Sequence, residues 1–191
     1  MRPLAAIPVR SLEGMSRLGD RLDVRQRSEL TQALILRTAT ACERAGADGA
    51  VVTADAAVST WAADHDIEVL VDPGRDLDAA AQTAVAAAHG RTWVVVHGDL
   101  PLLTHRDVAA VLTRCGPVPV LAPSHDGGTS VVAATADSFP FRYGPGSFQR
   151  HLAAVAGQAV VVTRPGLALD LDRSSDLDTA TLLGGLHDGG S

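Results

Sequence analysis

"TWVVVHGDLPLLTHRD", residues 92–107, runs from a strand into a helix. Trp93 is followed by three valines, the make-up of a strand covered on both faces. Thr104 and Asp107 stand three apart at the head of a helical run over 105–115, a capping-box spacing, with Gly116 as its stop. Between strand and helix lies an acid, Asp99, in a Gly-Asp-x-Pro turn among apolar residues. A buried strand, a short loop and a capped helix make half of a β-α-β crossover, the unit that joins parallel strands.

The same alternation extends in both directions. Apolar, β-branched runs at 4–9, 49–53, 67–71, 118–122, 129–134, 159–163 and 167–172 predict further strands. Helical spacing is found at 24–45, opened by Asp23 with Gln26 and stopped at Gly46, and at 55–64, 76–89, 147–156 and 175–184. The βαβα order predicts one α/β domain over 1–185, with 186–191 as a flexible Gly-rich tail. Its architecture is a three-layer α/β/α sandwich about a mostly parallel, mixed sheet. Ligands of such sheets bind beyond the carboxyl ends of the strands, where Asp99 falls.

Composition narrows the function. Hydrophobic residues are 46% of the 191 and aromatics only 3%, so the core is built from Ala, Val and Leu. A net charge of −6 argues against a general nucleic-acid binder. No apolar stretch escapes Arg, Asp or His for long enough to span a membrane. Cys42 and Cys115 lack metal-ligand spacing, which fits a reduced, cytoplasmic setting. All 16 cations are arginines, so a lysine-dependent phosphate loop is impossible. Neither G-x-G-x-x-G after the first strand nor G-x-S-x-G is present, which counts against a dinucleotide site and a nucleophile elbow.

Four segments carry chemistry. In "GLALDLDRSSDL", 166–177, a strand period puts Asp170 and Asp172 on one face, roughly 6–7 Å apart. Two such carboxylates repel unless they share a cation, and they suit Mg²⁺ or Mn²⁺. The pair fits a solvated strand end with Asp176 capping the next helix equally well, and Asp99 alone fits a turn acid; together the three favour metal. "SHDGGTSVV", 124–132, brings Gly127-Gly128-Thr129 into a strand, as a hairpin turn or as an approach for an anion. "FPFRYGPGSFQRHL", 139–152, gathers rare aromatics, glycines, Arg142 and Arg150 around Ser147, read as the N-cap of a helix. His97 reads as a satisfied polar residue at a strand end.

In order along nearly the whole chain, "AIPVRSLEGMSRL", "GDLPLL", "GGTSVV", "FRYGPGSFQRH" and "GLALDLDRSSDL" resemble the CofC/FbiD family. Those are guanylyltransferases of deazaflavin-coenzyme biosynthesis with a GT-A-like nucleotidyltransferase fold. The resemblance implies a reaction of GTP with a three-carbon phospho-acid, phosphoenolpyruvate or 2-phospho-L-lactate, releasing pyrophosphate. It implies metal binding by Asp99, Asp170 and Asp172, and acceptor contacts from Thr129, Gly144 and Ser147. A nucleophile that is already an anionic phosphate needs no Ser-His or Cys-His machinery, only positioning and neutralised charge.

The chain departs from the family at the nucleotide side. Arg10 and Met15 stand where the family's first motif has lysines, Arg17 is kept, and Asp78 replaces an asparagine. Arg10, Arg17 and Asp78 are therefore the expected nucleotide contacts. Two other readings remain open: a non-catalytic binder of a phospho-acid or nucleotide, and a sugar-nucleotide transferase of the same fold. A monomer or homodimer coupled to a downstream transferase completes the expectation.

Overall fold

Seven strands form one sheet: β1 (Leu4–Pro8), β2 (Asp48–Thr53), β3 (Glu68–Val71), β4 (Trp93–Val96), β5 (Val120–Pro123), β6 (Thr129–Ala134) and β7 (Val160–Val161). Their order in the computed structural model, which describes residues 1–74 and 76–186, is β3-β2-β1-β4-β6-β5-β7. β6 runs antiparallel to both β4 and β5, and the other pairs are parallel. The helices are α1 (Val24–Arg44), α2 (Ala56–Asp64), α3 (Leu77–Ala88), α4 (His105–Leu112), α5 (Ser147–Ala154), α6 (Pro165–Ala168) and α7 (Ser174–Leu182).

The period of two along each strand builds the three layers. Ala5, Ile7, Val94 and Val96 share a cluster with Ile35 and Ala39 of α1 and Val108 and Val111 of α4. Their neighbours Leu4, Ala6, Trp93 and Val95 face the other way, onto Ala80 and Ala84 of α3 and onto Phe139 and Phe141. Each fully buried Leu, Val or Phe in these clusters stabilises the fold by about 1.5–3 kcal/mol. Trp93 also donates from its indole N–H to the Ala136 carbonyl at 2.7 Å, so the largest buried side chain leaves no polar atom unpaired.

The capping boxes at Asp23–Gln26 and Thr104–Asp107 are both present. Three sequence expectations fail locally. α4 stops at Leu112, short of Cys115. Ser147 is not an N-cap: Gly146 takes that position with φ +66°, and Ser147 is the first helical residue. The strand expected at 167–172 is absent. Pro165 at the first helical position starts the single turn of α6, whose Gly166 packs so closely that a Cβ there would lie 2.8 Å from the Leu102 carbonyl. Beyond it 169–172 belongs to no helix or strand, with Leu169 extended, and Leu171 N–H donates to Asp99 O at 3.0 Å. The alternation survives, with Leu169 and Leu171 buried among Leu34 and Ala180. Among the described residues, no helix is long and apolar enough to cross a membrane. The tail expected at 186–191 lies outside the described residues except for Leu186, which packs against that same small cluster.

Candidate active site

β1, β2 and β3 are laid down successively towards one edge, and the crossover through α3 then returns the chain to the other side of β1, where β4 pairs. The strand order therefore reverses between β1 and β4, and a cleft of about 720 Å³ opens there, beyond the carboxyl ends of β1, β2 and β4. Arg10 and Met15 from the loop after β1, Val52, Asp72, His97 and Asp99 line it. Met15 has φ +56° and heads a 3₁₀ turn over Ser16–Leu18.

The expected acids gather on the β4 side of this cleft. Among the described residues, Asp99 Oδ1 and Asp170 Oδ1 are both buried without a hydrogen-bond partner. His125 Nδ1 comes within 3.1 Å of Asp170 Oδ1, but it is not aligned to donate to it. Burial pushes the Asp99 carboxyl up to about 6, helped by the charges of Asp172 and Asp126. Asp170 rises to about 6 for the same reason, with Asp99 as the next cause. Asp172 is differently placed, since its Oδ2 is held by the Arg17 guanidinium in an exposed ion pair. Among the described residues, no three His, Cys, Asp or Glu side chains already converge on a metal position. Two desolvated carboxylates with free lone pairs and a third within Coulombic range nonetheless form a donor set that fits a hard divalent cation. They are costly to ionise without one.

Of the expected acceptor contacts, Thr129 at the start of β6 and Ser147 at the head of α5 meet, while Gly144 lies in the loop before α5. Ser147 Oγ lies 3.2 Å from Thr129 Oγ1, and Thr129 Oγ1 lies 3.0 Å from His151 Nδ1, all three side chains buried. Gly144 has φ +112°, and a Cβ there would meet the Arg150 guanidinium at 2.9 Å, which itself donates to the Tyr143 carbonyl. A side chain at 144 is disfavoured by conformation, while the exposed Arg150 can swing aside to make room. Gly127-Gly128 is the hairpin turn between β5 and β6, with Gly128 N–H donating to Asp126 Oδ1 at 2.8 Å.

The expected nucleotide contacts separate. Arg10 is exposed at the mouth of the cleft, whereas Arg17 is engaged with Asp172. Asp78 accepts the Tyr143 N–H at 2.8 Å, which ties α3 to the acceptor loop; its neighbours Asp76, Leu77 and Ala80 are the α3 residues along the cleft. Several groups escaped the sequence reading. Among the described residues, His97 Nε2 has no partner, so His97 is not the satisfied residue expected. Thr31 Oγ1, Asp72 Oδ1 and the Tyr143 hydroxyl are buried without partners too. His125 reaches toward both Asp170 and Asp176. Asp72, in "VLVDP", repeats the signal of Asp99, an acid directly after an apolar strand, and was legible on that ground.

The fold is that of the α/β nucleotidyltransferases. A Desulfovibrio desulfuricans protein of the nucleotide-diphospho-sugar transferase class superposes with a TM-score of 0.79 at 19% identity, over 94% of this chain and 86% of that one. A nucleotidyl transferase from Methanothermobacter thermautotrophicus gives 0.65 at 17% identity, over 95% and 99%. The sequence settles the family: residues 4–186 match the family described as "Guanylyl transferase CofC like", and the chain belongs to it. The phosphoenolpyruvate guanylyltransferase of Rubrobacter xylanophilus is 34% identical over 98% of this chain and 97% of its own. That of Roseiflexus castenholzii is 33% identical over 91% and 85%. The 2-phospho-L-lactate guanylyltransferase of Methanothermobacter thermautotrophicus is 29% identical over 98% and 88%.

Proposed function

We propose that this protein transfers GMP from GTP to the phosphate of phosphoenolpyruvate and releases pyrophosphate, in the cytoplasmic synthesis of a deazaflavin coenzyme. The observation that carries the reading is the pair of unpartnered buried oxygens, Asp99 Oδ1 and Asp170 Oδ1, beside the switch-point cleft. Asp99 and Asp170 would hold Mg²⁺ or Mn²⁺, with Asp172 joining once Arg17 lets go of it. When bound, the cation neutralises charge on the triphosphate and the developing pyrophosphate. The Arg17–Asp172 pair is exposed and contributes only about 0–1 kcal/mol, so Arg17 can exchange its carboxylate for a phosphate at little cost. Arg10 supplies the second cation at the mouth. Beside the carboxyl end of β4, Thr129, Gly144 and Ser147 receive the phospho-acid.

The bond changes need no general base. An oxygen of the acceptor phosphate, already anionic, bonds to the α-phosphorus of GTP while the α–β bridging P–O bond breaks and pyrophosphate leaves. The protein's part is to hold two polyanions in line and to exclude water. Purified protein with GTP and Mg²⁺ is expected to release pyrophosphate fastest with phosphoenolpyruvate, more slowly with 2-phospho-L-lactate or 3-phosphoglycerate, and not at all with EDTA. Absence of release with every acceptor, in a sample that melts cooperatively, would overturn the reading and leave a binder without turnover.

A further inference from the structure

The hydrogen bonds around His151 can be satisfied in one way only. Arg142 N–H points at His151 Nε2 at 2.8 Å and can only donate, so Nε2 carries no proton. An imidazole with a bare Nε2 is neutral and carries its single proton on Nδ1. That proton is donated to Thr129 Oγ1 at 3.0 Å. The ring cannot turn away, because the rings of Phe139, Phe141 and Tyr143 pack edge-on to it at 5.5, 6.3 and 4.9 Å. One contact is left, between Ser147 Oγ and Thr129 Oγ1 at 3.2 Å, and it consumes one hydroxyl proton whichever oxygen donates. Two hydroxyls bring two protons. One O–H therefore remains unspent in a pair of residues that are each only 2% exposed.

We propose that His151 is a positioning residue: by holding the Nδ1–H tautomer it forces the Thr129–Ser147 pair to present a net hydrogen-bond donor to the acceptor substrate. This rests on the function proposed above and deepens it. Were Nδ1 bare, Thr129 would have to donate to the histidine, and Ser147's proton would go to Thr129. The pair would then have only lone pairs to offer. With Nδ1–H in place the surplus is a donor, which suits an anionic phosphate or carboxylate oxygen and leaves a group that can only donate unmatched. His151 itself touches no substrate.

¹⁵N NMR of the histidine-labelled wild type reads the tautomer directly, without turnover, and a neutral ring with its proton on Nδ1 is expected for His151. A proton on Nε2, or an imidazolium at neutral pH, would overturn the proposal. His151→Asn offers a donor in place of Nδ1, whereas His151→Gln keeps an acceptor for Arg142 N–H and loses that donor. The acceptor KM is expected to rise about 3- to 10-fold in His151→Gln, where the unspent O–H survives but is no longer held in one direction, and to stay at the wild-type value in His151→Asn. KM for GTP stays unchanged in both. Thr129→Val, which keeps the shape and removes the hydroxyl that Ser147 and His151 both donate to, should raise it about 10- to 100-fold, the loss of one hydrogen bond to a charged group, and the double variant should be no worse than Thr129→Val alone. Additive losses, or a wild-type acceptor KM in His151→Gln, would sink the proposal. A wild type that shows the Nδ1 proton but turns over no phospho-acid refutes the functional reading, and with it the ligand of this donor.

Discussion

Asp99 Oδ1 and the Tyr143 hydroxyl oxygen are buried without a partner, and an unpaired buried group costs about 1–3 kcal/mol. For Tyr143 the consequence is simple: no described residue holds its hydroxyl, so Tyr143→Phe removes a cost and no bond. Its urea midpoint is expected to equal or exceed that of wild type, and a fall would mean the hydroxyl has a structural partner. Asp99→Asn is argued alike but ends differently. The uncharged isostere at pH 7.5 should not lower the melting temperature of the metal-free protein, since burial already disfavours the carboxylate. Turnover should nevertheless fall about 100- to 1000-fold, the usual loss when one preorganised electrostatic group is removed. Added Mg²⁺ should raise the melting temperature of wild type and not of the variant. Asp99 was readable in the sequence because its acid follows an unbroken apolar strand. His97 and Tyr143 were not, because whether a buried polar atom finds a partner depends on what packs against it, and no local pattern records that.

The misread segment at 167–172 shows what periodicity can and cannot tell. Alternation of Leu169 and Leu171 with Asp170 and Asp172 needs only extended backbone and one buried side; it does not need a neighbouring strand. The sheet ends at β7 on that side, and α6 lifts the chain off it to lie beside Asp99. Pro165-Gly166 was the available signal, a helix-start proline followed by a residue without a side chain. What it could not reveal is the close approach of α6 to the head of α4, where Arg164 pairs with the buried Asp107 and Gly166 leaves room for that carboxylate. Gly166→Ala is therefore expected to lower stability by about 1–3 kcal/mol. It should also displace Asp170 and Asp172, so kcat falls while the secondary-structure signal in circular dichroism is kept. A variant with wild-type stability and kcat would show that α6 does not set the position of these acids. Most other elements were legible, because Val-rich strands and acid-capped helices are decided locally; Ser147 was mistaken for a cap because Gly146 fills that role by conformation alone.

The sheet as a whole makes one site out of parts distant in sequence. β1, β2 and β4 supply the cleft, and β6, antiparallel between β4 and β5, returns Thr129 to the carboxyl end of β4. The alternating strands and helices foretold the parallel half, but neither its reversal point nor the order in which β5 and β6 insert, since strand order follows from tertiary packing. His151 ties this second half together, joining α5 to β6 through Thr129 and to the 139–143 segment through Arg142 N–H. Burial holds its folded-state pKa down at about 4, below the ordinary 6.5 that the unfolded chain recovers. The sign follows from linkage: between those values the unfolded chain takes up a proton that the native state refuses, so stability falls as pH drops below 6.5 and levels off only near 4. Above 6.5 the group is neutral in both states and contributes no pH dependence. His125 acts oppositely, since Asp170, the Ala168 carbonyl and Asp176 outweigh its burial and raise its pKa, giving stability at low pH that fades as pH rises. Wild type alone therefore mixes the two. The difference in urea-unfolding free energy between wild type and His151→Gln isolates the first, because His125 is common to both. That difference is expected to be largest at pH 7.5 and to shrink steadily towards pH 5. A constant difference across that range would mean that His151 accepts a proton as readily in the folded protein as in the unfolded chain, which the Arg142 N–H at its Nε2 forbids.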